Sequence, residues 1–195
     1  MVAAHEAGVA DRIACESVRV NSMDPHLPLM DINPLGKIPT LVLDEGEIIY
    51  DSVVICAYFD ILNPKAGLIP TDPARRILAL KREALGDGLM ETLLNWLGER
   101  FRQQGEHSDK RIAVNKLKVA NSLTLLEKQA SDLAATPLDI GHIALGSALA
   151  YMDFRFGDLN WRADHPRLTD WHAAFSKRPS VVATAFFDDL AAKKA

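Results

Sequence analysis

The chain has 195 residues and a formal net charge of −4 at neutral pH, and 48% of its residues are hydrophobic. This length suits one compact unit or two small domains, and the acidic balance argues against nucleic acid or an anionic membrane surface as the main partner. No apolar run approaches the ~20 residues of a membrane span, and the N-terminus lacks the pattern of a signal peptide, so the sequence predicts a cytoplasmic protein.

The first predicted elements are a short helix and a strand. Residues 1–7 have helical character, and Gly8 suits a helix end because glycine adopts the left-handed backbone found there. Residues 13–20 predict a strand, and residues 24–28 predict a loop. The opening helix therefore has a stop signal but no start signal.

The most informative stretch covers residues 33–52 and reads N-P-L-G-K-I-P-T-L-V-L-D-E-G-E-I-I-Y-D-S. Proline and glycine at its start predict a turn, and two short apolar runs on either side of Gly46 predict an antiparallel hairpin. Asp51 and Ser52 then precede apolar residues at helical spacing, and both are good N-cap residues. The sequence therefore predicts a turn, a hairpin and a helix that begins at this pair.

This arrangement has the chemistry to bind a peptide by its charged ends. A helix start at Ser52 could hold a carboxylate, and Asp51 beside it could hold an ammonium group. Pro39 removes one ladder donor and can adopt the cis bond, in which case Ile38 would turn its backbone N–H and C=O toward a ligand. Lys37 adds positive charge for a second carboxylate. Each residue also has a structural interpretation, as a plain helix cap, an edge-strand proline or a solvated turn lysine.

A linker and a helical domain are predicted next. Residues 63–73 contain three prolines and a glycine, which is typical of a linker. Residues 74–101 predict one long helix, bent near residues 86–88, and a polar break at residues 103–109 separates it from a further helix.

A sharp helix-start signal lies at residues 136–139. Thr136 is predicted as the N-cap, with a proline in the first helical position and Asp139 completing an acidic capping box. The helix behind it is rich in glycine and alanine, which allows close packing, and His142 within it is predicted to be structural. Cap-then-proline patterns at residues 164–166 and 178–180 predict two more helices.

Metal and disulfide chemistry are not indicated. The six histidines and two cysteines show no metal-ligand spacing and no C-x-x-C motif. The sequence therefore predicts no metal site and no disulfide framework.

These patterns together resemble the glutathione S-transferase family. The run N-P-L-G-K-I-P, the hairpin and the acidic-Ser pair at a helix start resemble its glutathione-binding half. Residues 136–139 and 165–180 resemble its all-helical half, so the resemblance covers nearly the whole chain. It implies an α/β thioredoxin-like N-terminal domain over residues 1–62, a linker over residues 63–73 and an all-α C-terminal domain over residues 74–195.

The resemblance also assigns roles to the central stretch. In the family, the residue before a cis proline pairs its backbone with the cysteinyl part of glutathione, and an acidic-Ser pair holds the γ-glutamyl end. The family usually has glutamate where this chain has Asp51, which keeps the charge. The resemblance implies that the lysine before Ile38 faces the glycyl carboxylate, and that a histidine in the preceding loop could reach the same group. The candidate glutathione-binding residues are therefore Lys37, Ile38, Pro39, Asp51, Ser52 and His26.

The catalytic residue of the family has no counterpart in this sequence. In the family, a first strand precedes the opening helix, and the catalytic Ser, Tyr or Cys lies between them or at the helix start. The sequence begins inside that helix, and Cys15 and Ser17 are poor substitutes. Either the chain starts late, or it is a variant that has lost the usual catalytic apparatus.

The resemblance implies a glutathione transferase active in detoxification. Anchored glutathione is the co-substrate, and its thiolate attacks small hydrophobic electrophiles. The expected protein is a homodimer with no nucleic-acid or membrane partner. Two alternatives stay open: a glutathione-dependent disulfide reductase or peroxidase on the same fold, and a non-catalytic binding or regulatory module.

Overall fold

Residues 1–20, 24–103 and 105–186 are described by a computed structural model of the protein. The chain divides into two units, Met1–Ile69 and Pro70–Ala195. The division falls inside the predicted linker, and the predicted domain limits themselves stay predictions. Within the described ranges, no helix is both long and apolar enough to span a membrane.

The first unit opens with a short helix, α1 (Val2–Glu6), as predicted. Gly8 follows it with a φ of +69°. The N–H of Gly8 donates to the carbonyl of His5 at 3.0 Å, and the N–H of Val9 donates to the carbonyl of Ala4 at 2.9 Å. Both bonds satisfy carbonyls at the helix end, which is the role predicted for this glycine.

The strand predicted at residues 13–20 is wrong. These residues lie outside any helix or strand, and their side chains are exposed or half-buried. An extended segment forms a strand only when a neighbour pairs with its backbone N–H and C=O groups. The two strands of the described chain pair with each other, which leaves residues 13–20 without a partner strand.

A short helix replaces part of the loop predicted at residues 24–28. Helix α2 (Leu27–Ile32) begins after His26, whose Nδ1 accepts a hydrogen bond from the N–H of Leu29 at 3.1 Å. Pro28 lies in the first turn, where a missing N–H leaves no helical bond unmade. The loop prediction was wrong here because histidine is not among the usual N-cap residues.

The predicted hairpin is confirmed. Strands β1 (Leu41–Val42) and β2 (Ile48–Ile49) are antiparallel, with the first residue of β1 opposite the last residue of β2. The N–H of Leu43 donates to the carbonyl of Glu47 at 2.8 Å, and Gly46 has a φ of +88°. A positive φ is the backbone that this tight connection requires, which explains the glycine.

Helix α3 (Ser52–Leu62) begins where the sequence predicted it. Ile55 and Phe59 lie one turn apart on its buried face, and α3 contacts α1. At the end of α3, the side-chain amide of Asn63 donates to the carbonyl of Ala7 at 3.0 Å. This bond ties the ends of the two helices together within the first unit.

The second unit is built from five α-helices in its described part. They are α4 (Pro73–Arg100), α5 (Asp109–Ala135), α6 (Ile140–Arg155), α7 (Pro166–Ser176) and α8 (Pro179–Val182). Helix α6 packs against α4 and α7, and α5 packs against α4 and α7. The predicted long helix, the polar break after it and the last two helix starts are confirmed.

The core of the second unit lies around α6. Leu145, Leu149 and Met152 on α6 are fully buried, and the rings of Trp96 on α4 and Phe156 lie 4.8 Å apart. Burying large apolar and aromatic side chains supplies most of the stability of such a unit.

Glycines allow α6 to approach its neighbours closely. A Cβ added at Gly146 would lie 2.2 Å from the ring of Phe175, and one at Gly141 would lie 2.6 Å from the carbonyl oxygen of Ala79. On α4, a Cβ at Gly86 would lie 2.6 Å from the backbone of α6. The structure thus gives Gly86 a role at a helix crossing, and the bend near residues 86–88 stays a prediction.

Helix α6 begins three residues later than predicted, with Asp139 as its N-cap instead of Thr136. Asp139 accepts a hydrogen bond from the N–H of His142 at 3.2 Å, and Nδ1 of His142 accepts one from the N–H of Asp139 at 3.2 Å. The hydroxyl of Thr136 instead donates to the carbonyl of Asp132 at 2.8 Å, at the end of α5. The predicted cap is therefore wrong because that hydroxyl already closes the preceding helix, and His142 is structural as predicted.

A buried histidine joins α6 to α7. Nε2 of His172 donates to the carbonyl of Gly146 at 3.2 Å, and Nδ1 accepts from the guanidinium of Arg162 at 3.1 Å. That guanidinium also pairs with the carboxylate of Asp153, which accepts a further bond from the indole N–H of Trp161 at 2.8 Å. His172 is therefore neutral in the folded protein, with its proton on Nε2.

This arrangement predicts a loss of stability in mild acid. Burial lowers the pKa of His172, and the positive charge of Arg162 lowers it further, against the opposing effect of Asp153. The unfolded chain therefore takes up a proton below about pH 6.5 that the folded chain resists, so this contribution is complete above that pH and falls away below it. We expect the urea concentration at the unfolding midpoint of the wild type to decrease as the pH is lowered from about 7.5 to about 5.5.

The His172→Gln variant is the matched control. Glutamine can keep both hydrogen bonds and has no titrating group, so the midpoint should change less over the same range. An equal change of the urea midpoint with pH in the wild type and the variant would contradict the prediction. Unfolding followed by circular dichroism measures both.

Candidate functional site

The open end of the hairpin brings together the two segments with candidate binding residues. Leu41 lies opposite Ile49 in the register of the hairpin. Pro39 precedes Leu41 by two residues, and Asp51 follows Ile49 by two residues, so both lie beyond the same end. Ile38 and Ser52 are the next residues outward on each side, which makes this end the candidate site.

Ile38 is a candidate for backbone pairing with a ligand. The Ile38–Pro39 peptide bond is cis, as the sequence suggested it could be, and Ile38 is 52% exposed. Among the residues that the structure describes, none forms a hydrogen bond with the N–H or C=O of Ile38. An extended peptide could therefore pair with this edge through its own amide groups.

The start of α3 offers groups of both polarities. Oδ1 of Asp51 accepts a hydrogen bond from the N–H of Val53 at 3.1 Å, which confirms Asp51 as the N-cap. Within the described part of the chain, the second oxygen of Asp51 and the hydroxyl of Ser52 have no hydrogen-bond partner. The carboxylate suits an ammonium group, and the hydroxyl beside free helical N–H groups suits a carboxylate.

Two candidates for binding an anionic group lie before this end in the sequence. Lys37 is exposed, and its ammonium group forms no ion pair across residues 1–20, 24–103 and 105–186. Nδ1 of His26 is engaged at the start of α2, so only its Nε2 is left for a ligand. Lys37 is thus the less constrained partner for an anionic group.

Two polar residues that contact this segment were not predicted. Asn33 is only 1% exposed, and its side chain bonds both to the Lys37 carbonyl and to Thr40. The signal in the sequence was weak, because asparagine in an Asn-Pro turn and threonine after proline are common turn and strand residues.

No metal site is evident at this end or elsewhere in the described ranges. There, no group of three or more His, Cys, Asp or Glu side chains is placed to hold a metal ion.

Two known protein domains match this chain, one in each of its two units. The sequence profile of the glutathione S-transferase N-terminal domain matches residues 1–62, and that of the C-terminal domain matches residues 109–174. The GST-like protein YibF of Escherichia coli K12 is 34% identical over 138 residues, which cover 70% of this chain and 68% of that protein. The chain belongs to the glutathione S-transferase family.

Solved structures of the family agree with this assignment. A glutathione transferase family member from Pseudomonas fluorescens Pf-5, with bound glutathione, has a TM-score of 0.90 and 37% identity. The match covers 96% of this chain and 92% of that one. The predicted fold class, a thioredoxin-like N-terminal domain with an all-helical C-terminal domain, is confirmed.

Another relative is named for an isomerisation. The maleylacetoacetate isomerase of Pseudomonas aeruginosa is 28% identical over 140 residues, which cover 71% of this chain and 54% of that enzyme. Membership of the glutathione S-transferase family therefore supports glutathione-dependent chemistry in general.

Proposed function

We propose that this member of the glutathione S-transferase family is a glutathione transferase that binds glutathione at the open end of its hairpin. The observation that carries the proposal is that exposed Ile38, with its backbone N–H and C=O unpaired among the described residues, lies at the same end of the hairpin as the Asp51-Ser52 helix start. Together they offer amide groups, a carboxylate and a hydroxyl to one extended peptide. A relative with 37% identity was solved with bound glutathione, which supports the same ligand.

The proposed arrangement assigns each charged end of glutathione to a complementary group. The free oxygen of Asp51 pairs with the γ-glutamyl ammonium, and Ser52 with the start of α3 holds the γ-glutamyl carboxylate. The backbone of Ile38, held before cis Pro39, pairs with the cysteinyl amides. Lys37 faces the glycyl carboxylate, with His26 as a second candidate.

The chemistry follows from anchoring the tripeptide at both ends. The thiol belongs to the ligand, and its thiolate attacks a small hydrophobic electrophile held beside it. The group that would lower the pKa of that thiol is not assigned to a residue of this sequence. Homodimer formation, a cytoplasmic location and a role in detoxification are further predictions of this proposal.

A second candidate reaction is a glutathione-dependent isomerisation. The 28% identity with a maleylacetoacetate isomerase favours it, since glutathione can add to a conjugated double bond and leave again after bond rotation. The disulfide reductase, peroxidase and non-catalytic alternatives also remain. A panel of an aryl halide, a mixed disulfide, a peroxide and a cis-configured unsaturated diketo acid, each with glutathione, separates these functions.

Binding itself is tested by calorimetric titration of glutathione into the full chain and variants. We expect Ser52→Ala to weaken binding about tenfold, because a hydrogen bond to a carboxylate is lost. Asp51→Asn should weaken it by about ten- to a hundredfold, since asparagine still caps the helix but no longer attracts the ammonium.

The matched control is Ser122→Ala. Ser122 lies on α5, where its hydroxyl donates to the carbonyl of Lys118 at 2.9 Å. The Ser122→Ala substitution should leave glutathione binding unchanged. A folded wild type that does not bind glutathione, or a Ser52 variant that binds as well as the wild type, would contradict the proposal.

A further inference from the structure

A closed set of hydrogen bonds surrounds the carbonyl of Lys37. The side-chain amide of Asn33 donates to that carbonyl at 3.0 Å, and the hydroxyl of Thr40 donates to it at 2.9 Å. The same carbonyl is therefore held by a residue before the turn and by a residue after the cis proline.

The two holding side chains are themselves fixed. The second amide hydrogen of Asn33 is donated to the hydroxyl oxygen of Thr40 at 2.9 Å, and its Oδ1 accepts from the N–H of Leu35 at 3.1 Å. Asn33 uses both donors and its acceptor, and it is only 1% exposed. Thr40 uses its hydrogen and one lone pair. A polar network with its partners satisfied favours one arrangement, most strongly where its central residue is buried, as Asn33 is here.

Fixing the Lys37 carbonyl fixes the direction of a neighbouring donor. The carbonyl of Lys37 and the N–H of Ile38 belong to one planar peptide unit and point in opposite directions. When the carbonyl is held toward Asn33 and Thr40, the N–H of Ile38 points away from them. This is the N–H that forms no hydrogen bond within the described residues.

We infer that Asn33 and Thr40 are positioning residues for glutathione, because they hold the Lys37–Ile38 peptide plane in the orientation that binds the ligand. This inference rests on the proposed function and deepens it. Neither side chain touches the ligand in this account. Each removes rotational freedom from the peptide before binding, so that less affinity is lost in ordering it.

The test uses two ligands that differ in the cysteinyl–glycyl amide, whose carbonyl is the proposed partner of the Ile38 N–H. The first is glutathione, and the second is an analogue in which a fluoroalkene replaces the cysteinyl–glycyl amide and removes the carbonyl acceptor. We expect the wild type to bind glutathione about tenfold more tightly than the analogue. Calorimetry gives both dissociation constants, and thermal unfolding shows that each variant is folded.

The variants act on Thr40 and Asn33 separately. Thr40→Val should weaken glutathione binding about five- to tenfold and change binding of the analogue by less than about twofold. The ratio of the analogue's dissociation constant to that of glutathione should therefore fall toward one. Thr40→Ser should restore the ratio because it keeps the hydroxyl. Asn33→Asp removes both side-chain donors at nearly constant shape and should act like Thr40→Val.

A threonine outside the network provides the control. The hydroxyl of Thr92 donates to the carbonyl of Gly88 at 2.7 Å in α4, so Thr92→Val loses a comparable bond without reaching the hairpin. It should leave both affinities unchanged. If Thr40→Val kept the wild-type ratio of the two dissociation constants, the positioning role would be overturned while the proposed function would stand. No binding of glutathione by the wild type would overturn the proposed function and this inference with it.

Discussion

Replacing Gly86 with alanine is expected to destabilise the protein by about 2–3 kcal/mol, because the new methyl group would overpack a helix crossing. The added Cβ would lie 2.6 Å from the backbone carbonyl carbon of Ala144 and 2.7 Å from the N atom of Leu145. Both atoms belong to the backbone of α6, which cannot rotate away as a side chain could. The helices must therefore separate, and the core between them loses contacts.

The matched control lies two residues along the same helix. A Cβ added at Gly88 meets no atom within 4 Å. Gly88→Ala should therefore stabilise α4 by up to about 1 kcal/mol, through the better helix propensity of alanine. Chemical denaturation of both variants measures the two changes. Similar effects at the two glycines would contradict the close crossing of α4 and α6.

Asp139→Ala is expected to cost about 3 kcal/mol, more than the loss of an ordinary helix cap. Asp139 is 4% exposed and caps α6 by accepting the N–H of His142 at 3.2 Å. It also attracts the buried guanidinium of Arg82, whose pKa burial lowers and the charge of Asp139 raises. Removing the carboxylate leaves buried polar groups without their partner, which is costlier than the lost cap bond alone.

An exposed cap supplies the comparison. Asp72 caps α4 by accepting the N–H of Arg75 at 2.9 Å, and it is exposed. Asp72→Ala should cost about 1 kcal/mol. Urea denaturation of the two variants checks the difference. An equal loss in both would show that the Asp139 network adds nothing beyond the cap.

The elements that could be predicted from the sequence are those with local causes. The hairpin followed from apolar runs around Gly46, and the start of α3 followed from Asp51 and Ser52, because turn backbone and helix caps are set by neighbouring residues. The long helix α4 followed in the same way from its spacing of apolar side chains.

The failed predictions depended on distant partners. Residues 13–20 have the composition of a strand, yet a strand forms only beside another strand. Thr136 fits an N-cap by its local pattern, but its hydroxyl bonds to Asp132 of the preceding helix and accepts from Arg82 of α4 at 3.1 Å. The reciprocal partner of the true cap, Asp139, is a histidine where the usual pattern has Glu or Gln.

The residues of the candidate site also fall into those with a local sequence signal and those that depend on the folded structure. Ile38, Asp51 and Ser52 were proposed from a proline, an acidic residue and a helix start that lie close in sequence. The network of Asn33 and Thr40 could not be proposed, because sequence does not distinguish a buried asparagine that bonds across a turn from a solvated one. Its side-chain bonds required the folded arrangement of the turn.

The most direct test of glutathione binding at the open end of the hairpin is a titration followed by ¹H–¹⁵N correlation spectra of the full chain. Binding at this end should cause saturable shifts of the Ile38, Ser52 and Val53 amide signals and leave buried α5 residues such as Leu126 unchanged. Asp51→Asn should move the titration to higher glutathione concentrations. Saturable shifts that leave Ile38, Ser52 and Val53 unaffected, or no shifts at all, would contradict binding at this end.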